Sequence, residues 1–139
     1  MIIQVKDLEE GVSSVTTCDY DAKKIDVEFE DLHYASPIHF QAEMCLECST
    51  LHLWGRLRGQ IEQLCARCLK EVVTDVQAPV DLFYDIKDTD EINALDDVRD
   101  ILILSHELKF LCRPDCRGLC AGCGADLNEE NCLCSFKKP

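Results

Sequence analysis

The chain has no long hydrophobic run. Its longest uninterrupted apolar stretch, Ile101–Leu104, falls far short of the roughly 20 residues a membrane-spanning helix needs. The first residues, Met1-Ile2-Ile3-Gln4-Val5-Lys6-Asp7, lack the basic start and apolar centre of a secretory leader. A soluble, cytoplasmic protein is therefore expected. Basic residues are also scarce, with 14 Lys and Arg against 27 Asp and Glu and a net charge of -13, so the field of the whole molecule repels nucleic acid. No glycine-rich phosphate loop, no placed nucleophile–base pair and no internal repeat occur, which argues against an enzyme.

Cysteine, by contrast, is abundant, with 11 in 139 residues. In a reducing compartment disulfides do not persist, so clustered thiols read as metal ligands or redox groups. Six of them fall between Cys112 and Cys134, and Cys65-Ala66-Arg67-Cys68 adds two more upstream. Eight thiols in such groups are what two tetrahedral sites require.

The length fits one domain with a small metal-bound appendage. Met1–Val5 reads as a short strand, Leu8–Asp21 as polar and turn-rich, Lys24–Phe29 as a strand and Glu30–Pro37 as a loop. Ile38, Phe40, Ala42 and Met44 alternate, as do Leu51, Leu53, Gly55, Leu57, Gly59 and Ile61, with Arg56 and Arg58 on the outer face. Gly55 and Gly59 point to a bulge or a close backbone approach. Glu71–Ile86 is the clearest strand, and Pro79 within it demands an edge position or a break. Asp85–Asp97 carries six carboxylates against Lys87 and reads as a solvated connector. A helix capped by Asp96 or Asp97 follows to about Leu108, its stripe of Val98, Ile101, Leu102, Ser105 and Leu108 widened by Ile103 and Leu104. The fold class expected is α+β: an antiparallel sheet covered by one main helix, with a cysteine-rich, zinc-binding C-terminal tail. Residues 1–111 form the core in this reading, and 112–139 a zinc-knuckle tail docked on it through Cys65 and Cys68.

From Cys112 onward the only sizeable apolar side chains besides cysteine are Leu119, Leu127, Leu133 and Phe136. They cannot offset the entropy of ordering 28 residues at roughly 1–2 kcal/mol of backbone each. A structural zinc site contributes about 10–16 kcal/mol in small peptides, comparable to the whole stability of a domain at about 5–15 kcal/mol. Cys120-Ala121-Gly122-Cys123-Gly124 has the form of a zinc knuckle, and the short loop that follows returns Cys132-Leu133-Cys134. The favoured sets are Cys120, Cys123, Cys132 and Cys134, and Cys65, Cys68, Cys112 and Cys116. The rival partition groups Cys112, Cys116, Cys120 and Cys123, leaving Cys65, Cys68, Cys132 and Cys134. An all-sulfur set suits zinc or iron, with zinc the default for a closed structural site. Cys18, Cys45 and Cys48 read as small apolar residues, and His33, His39, His52 and His106 as surface or packed imidazoles. Each filled four-thiolate site adds two negative charges, taking the chain to about -17.

With Cys65-Ala66-Arg67-Cys68-Leu69, the helix and Leu111-Cys112-Arg113-Pro114-Asp115-Cys116-Arg117-Gly118-Leu119-Cys120-Ala121-Gly122-Cys123-Gly124-Ala125-Asp126-Leu127-Asn128 in view, the chain resembles the YceD-type large ribosomal RNA subunit accumulation proteins of bacteria and plastids. The resemblance spans roughly residues 38–134. It implies a non-enzymatic factor needed for accumulation of 23S ribosomal RNA and hence for large-subunit assembly, and the eight cysteines match the family's cysteine positions. The partners it implies are ribosomal RNA or ribosome-assembly proteins, with no membrane and no small-molecule substrate. Arg67, Lys70, Arg113 and Arg117 lie within or beside the first cysteine set, so four of the 14 cations converge there as a contact collar or as an offset to thiolate charge. Two other functions fit the cysteines: a rubredoxin-like iron electron carrier, and a redox switch in which oxidation ejects zinc.

Overall fold

A computed structural model describes residues 1–87, 90–107, 109–132 and 134. The strands in chain order are β1 (Ile2–Gln4), β2 (Ser13–Tyr20), β3 (Leu32–Tyr34), β4 (Ile38–Glu47), β5 (Thr50–Leu64), β6 (Glu71–Asp85) and β7 (Glu91–Asn93), followed by the helix α1 (Leu95–Ser105). Among the described residues the architecture is mostly antiparallel β-sheet with one α-helix, as the alternation in the sequence leads one to expect. The long strand β5 is its axis. One edge of β5 pairs with β4 over Thr50–Arg58 and with β3 over Ile61–Gln63, and the other edge pairs with β6 along its whole length. β2 closes the sheet beyond β4.

The period of two decides which face is buried. Ile38, Phe40 and Ala42 of β4, Leu51, Leu53 and Leu57 of β5, and Ala78 and Val80 of β6 are buried in one cluster. Val98 and Leu102 of α1 complete it. The opposite face is open to solvent. There His52 stacks on Phe83 with ring centroids 4.2 Å apart, Trp54 lies 4.5 Å from the same imidazole, and Arg56 and Arg58 are exposed. β6 is an edge strand, so Pro79 loses no ladder bond on its free side, and its register opposite Arg56 runs on unbroken.

The N-terminal third departs from the alternation reading. Leu8–Asp21 contains a full strand, β2, whose inward positions are Ser14, Thr16, Cys18 and Tyr20, too small and polar to register as a stripe. Lys24–Phe29 is a tight turn rather than a strand. Ile25 and Val27 are buried, but the amides of Lys24 and Ile25 both donate to the Asp21 carbonyl, and Asp26 has a φ of 55°. Glu30–Pro37 holds the short β3. The acidic connector holds β7, which pairs with β1 and buries Ile92, so it is not wholly solvated.

The helix begins earlier than expected, with Ala94 at its N-cap, and no side chain caps it. Asp96 and Asp97 sit in its first turn instead, where carboxylates suit the positive helix end. Asp97 accepts a 2.6 Å hydrogen bond from the Tyr84 hydroxyl, and Arg99 donates to the Ile25 carbonyl at 3.0 Å and pairs with Asp26 at 3.0 Å. These contacts tie α1 to β6 and to the turn at residues 21–27. Leu104 is 85% exposed and does not widen the buried stripe. Leu108 lies outside the described residues.

Gly55 and Gly59 differ. A Cβ on Gly55 would strike the Gln41 carbonyl oxygen and come within 2.7 Å of the Ala42 Cα, whereas one on Gly59 would meet Tyr34 at an ordinary 3.5 Å. Gly55 is thus the close backbone approach, and neither glycine marks a bulge. Gly55→Ala is predicted to destabilise the protein by about 2 kcal/mol, in the range of core overpacking, and Gly59→Ala to leave it within about 0.5 kcal/mol. Urea unfolding of the two variants checks the contrast, and equal effects would contradict it.

Candidate metal centre

The sheet carries its chemistry at one end. The β5–β6 hairpin tip is a knuckle: the Cys65 amide donates to the Lys70 carbonyl at 3.0 Å and the Leu69 amide to the Cys65 carbonyl at 2.9 Å. The turn at Cys120 repeats the same bonds, Cys120 N–H to Ala125 O at 2.8 Å and Gly124 N–H to Cys120 O at 2.9 Å. In both, the residue after the second cysteine takes a left-handed backbone, with φ of 59° at Leu69 and 75° at Gly124. Glycine adopts that conformation freely and leucine does not. The two knuckles are therefore one local structure built twice.

The first knuckle receives Cys112 and Cys116. The Ala66 amide donates to the Phe110 carbonyl at 2.9 Å, drawing the chain after α1 onto the hairpin tip. The Arg67 guanidinium donates to the Cys116 carbonyl at 2.8 Å, and the Leu119 amide donates to the Arg67 carbonyl at 3.2 Å. Gly118, with a φ of 75°, passes so close that a Cβ would lie 2.9 Å from the Arg67 carbonyl oxygen. Cys65, Cys68 and Cys116 are buried and Cys112 half-buried. The four sulfurs lie within 4.8 Å of one another, with Cys65 to Cys116 at 3.8 Å and Cys68 to Cys112 at 3.6 Å.

The second set, Cys120, Cys123, Cys132 and Cys134, is more exposed, and its sulfurs also lie within 4.8 Å of one another. Cys123 to Cys132 is 3.4 Å and Cys132 to Cys120 is 3.1 Å. Backbone amides of Gly122 and Cys134 point at the sulfurs of Cys120 and Cys132. Asn128 ties the loop between Cys123 and Cys132 to the first set: its carboxamide donates to the Cys116 sulfur at 3.4 Å and accepts the Arg117 amide at 2.8 Å. All 11 cysteines are free thiols.

Electrostatics within each set is unequal. Burial opposes charge on Cys65, but the amides of Cys112, Cys68 and Arg67 outweigh it and hold the thiol at about 6. Burial pushes Cys112 up to about 12. In the second set the Cys132 thiol, donating to Cys120, holds the latter at about 6, and Cys132 is itself pushed up to about 12 by Cys120. Thiols lowered from 9.0 stabilise the metal-free fold above that pH, and the contribution is lost as pH falls through about 6. Those raised stabilise it below 9.0 and lose the effect as pH rises toward about 12. Each set thus holds one thiol lowered and one raised, and no single pH suits both; a cation among the sulfurs would favour the thiolate at each.

A tetrahedral ion with bonds of about 2.3 Å places its sulfurs about 3.8 Å apart. The first set matches that spacing, and the second is slightly tighter. Both donor sets are all sulfur, so the residues fit zinc or iron. The structure brings together the two sets favoured by loop closure and not the rival partition. No histidine belongs to either set. Cys45 lies on the outer face of β4 and Cys48 in the turn after it, outside both sets. Of the collar, Lys70 pairs with Glu129 at 3.0 Å and Arg113 with Asp115 at 3.6 Å, whereas Arg117 has no ion pair among the described residues.

Sequence reasoning missed a second feature at this end of the sheet. An apolar groove of about 440 Å3 opens between β3, the β5–β6 tip and the end of α1, with Phe29, Leu64, Leu69 and Phe110 in its wall. Its residues come from separate elements, so no periodicity announces it; the one signal is Leu69 standing where the second knuckle has Gly124.

Residues 84–139 match the family model described as "Large ribosomal RNA subunit accumulation protein YceD". Large ribosomal RNA subunit accumulation protein YCED homolog 1, chloroplastic, from Zea mays is 42% identical over 45 residues, which cover 32% of this chain and 15% of that relative. The aligned stretch is thus a small part of the relative's length. No solved structure matches the chain significantly. The resemblance read from the sequence is borne out over the C-terminal region, which holds six of the eight clustered cysteines; Cys65 and Cys68 lie outside the matched residues and join them through the fold.

Cobalt(II) titration of the reduced, metal-free chain should raise a thiolate charge-transfer band that saturates at two equivalents, one for each cysteine set. Cys116→Ser should remove about half of it and Cys45→Ser none. Saturation at one equivalent, or loss with Cys45→Ser, would contradict the two-site geometry.

Proposed function

We propose that this chain is a non-enzymatic, zinc-stabilised factor that supports accumulation of 23S ribosomal RNA and assembly of the large ribosomal subunit. The observation that carries the reading is the match of residues 84–139 to the family described by that role, joined to the two four-sulfur sets in and beside the matched region. Zinc is the ion assigned to Cys65, Cys68, Cys112 and Cys116, and to Cys120, Cys123, Cys132 and Cys134. It supplies structure rather than chemistry, since four thiolates leave no ligand position for a substrate. Residues 1–111 serve as the body in this reading, and 112–139 as a tail docked through Cys65 and Cys68. Eleven free thiols fit a reducing, cytoplasmic compartment. Among the described residues no helix is long and apolar enough to cross a membrane.

Contact with the ribosomal particle is assigned to the cations around the first set. Arg67 and Lys70 hold the Cys116 carbonyl and Glu129, whereas Arg113 has a looser pair, 3.6 Å from the exposed Asp115, and Arg117 has none among the described residues, so these two exposed arginines are the pair assigned to an anionic surface.

Depletion of the protein is expected to lower 23S ribosomal RNA and the large-subunit peak on a sucrose gradient; an unchanged profile would overturn the reading. Arg113→Glu with Arg117→Glu should weaken co-sedimentation with ribosomal particles while zinc content stays constant. Unchanged co-sedimentation would reduce the collar to an offset of thiolate charge.

A further inference from the structure

We infer that the groove beside the first cysteine set is a docking site for a basic protein segment carrying an apolar anchor. The groove is faced by large side chains that remain open to water: Phe29 is 43% exposed, Leu64 36% and Leu69 61%. It runs into a second cavity of about 280 Å3, and the two share Asp31, Gln63 and Leu64. The second cavity is acidic, bounded by Glu30, Asp31, Glu62 and Glu71, and Glu107 adds a carboxylate to the rim of the first. None of these five carboxylates has an ion pair among the described residues. An apolar slot continuous with unneutralised carboxylates is complementary to a cationic chain with an aliphatic or aromatic side chain close to its charges. It repels nucleic acid, whose phosphates would face the same carboxylates.

Two polar groups of the groove wall fit a peptide as the occupant. Gln63 stands in the wall of both cavities and is only 7% exposed. A buried carboxamide both donates and accepts, which is what a peptide backbone requires. His106, whose Nε2 meets the Tyr34 hydroxyl at 3.0 Å, keeps Nδ1 buried without a partner among the described residues. Buried polar groups are normally satisfied, so His106 Nδ1 leaves a hydrogen bond for an incoming chain.

Leu69 points the same way. The equivalent position of the second knuckle is Gly124, the residue suited to that left-handed turn, yet here a leucine occupies it and turns its side chain to the groove mouth. Replacing Leu69 with glycine should therefore ease the backbone while removing the anchor's contact surface. The inference rests on the ribosome-assembly reading only for the source of the segment, a basic protein of that pathway; the complementarity itself is independent of it.

The test uses the zinc-loaded full chain and fluorescein-labelled synthetic peptides at physiological salt, read by anisotropy. A peptide alternating lysine with leucine is expected to bind about tenfold more tightly than an all-lysine peptide of equal charge. Leu69→Gly should weaken the mixed peptide about tenfold with zinc content and melting temperature undiminished. Glu30→Gln with Glu71→Gln, both exposed positions, should weaken both peptides and flatten their salt dependence. Equal binding of the two peptides, or no loss with Leu69→Gly, would overturn the inference, as would displacement of the mixed peptide by a single-stranded oligouridylate. These measurements use purified components, so they fail or succeed independently of any ribosomal RNA phenotype.

Discussion

Four thiols held within 4.8 Å of one another are a liability without a cation. Each anion raises the cost of the next, and the protein alone does not even them out: backbone amides hold Cys65 at about 6 while burial lifts Cys112 to about 12. The chain builds this arrangement twice, with the same knuckle hydrogen bonds, and both sets could hold a metal ion. The dependence runs through the C-terminal segment, where Leu119 is itself 37% exposed and little apolar surface remains to be buried. The sheet needs no such help. Its core of Phe40, Ile38, Leu51, Leu53 and Leu57 is closed by α1 in the ordinary way.

The division of labour explains why so much sits at one end of the molecule. The long hairpin of β5 and β6 projects Cys65 and Cys68 at its tip, and α1 delivers Cys112 and Cys116 to it. The same convergence leaves a gap between β3, the tip and the end of α1, and that gap is the apolar groove. The cysteine set and the groove share a wall, since Cys65 and Ala66 line the cavity. On one side the hairpin tip meets the cationic collar, and on the other it meets Glu30, Asp31, Glu62 and Glu71. Cations and carboxylates therefore gather at the same end of the sheet.

What could be read beforehand follows the strength of each signal. β4, β5 and β6 were legible because branched and aromatic side chains recur every second residue over ten or more positions. β2 was not, because Ser14, Thr16 and Cys18 face inward without the bulk that marks a stripe. Ile25 and Val27 misled in the opposite sense, since a turn can bury two alternate residues as a strand does. β7 hid a single buried residue, Ile92, among carboxylates. The second cysteine set was legible because its loop closure and ligand spacing are local, and the first followed as the four thiols that remained. The groove was not, because its walls are brought together only by tertiary packing.

Hydrogen exchange at the knuckle amides probes the central claim most directly. The reduced chain is compared with zinc bound and after removal of zinc by a chelator. The account predicts that the amides of Cys65, Leu69, Leu119, Cys120 and Gly124, all hydrogen-bonded within or between the knuckles, are protected with zinc and exchange rapidly without it. The amides of β4 and β5 should stay protected in both states. Undiminished protection at Leu119, Cys120 and Gly124 in the zinc-free, reduced chain would contradict it.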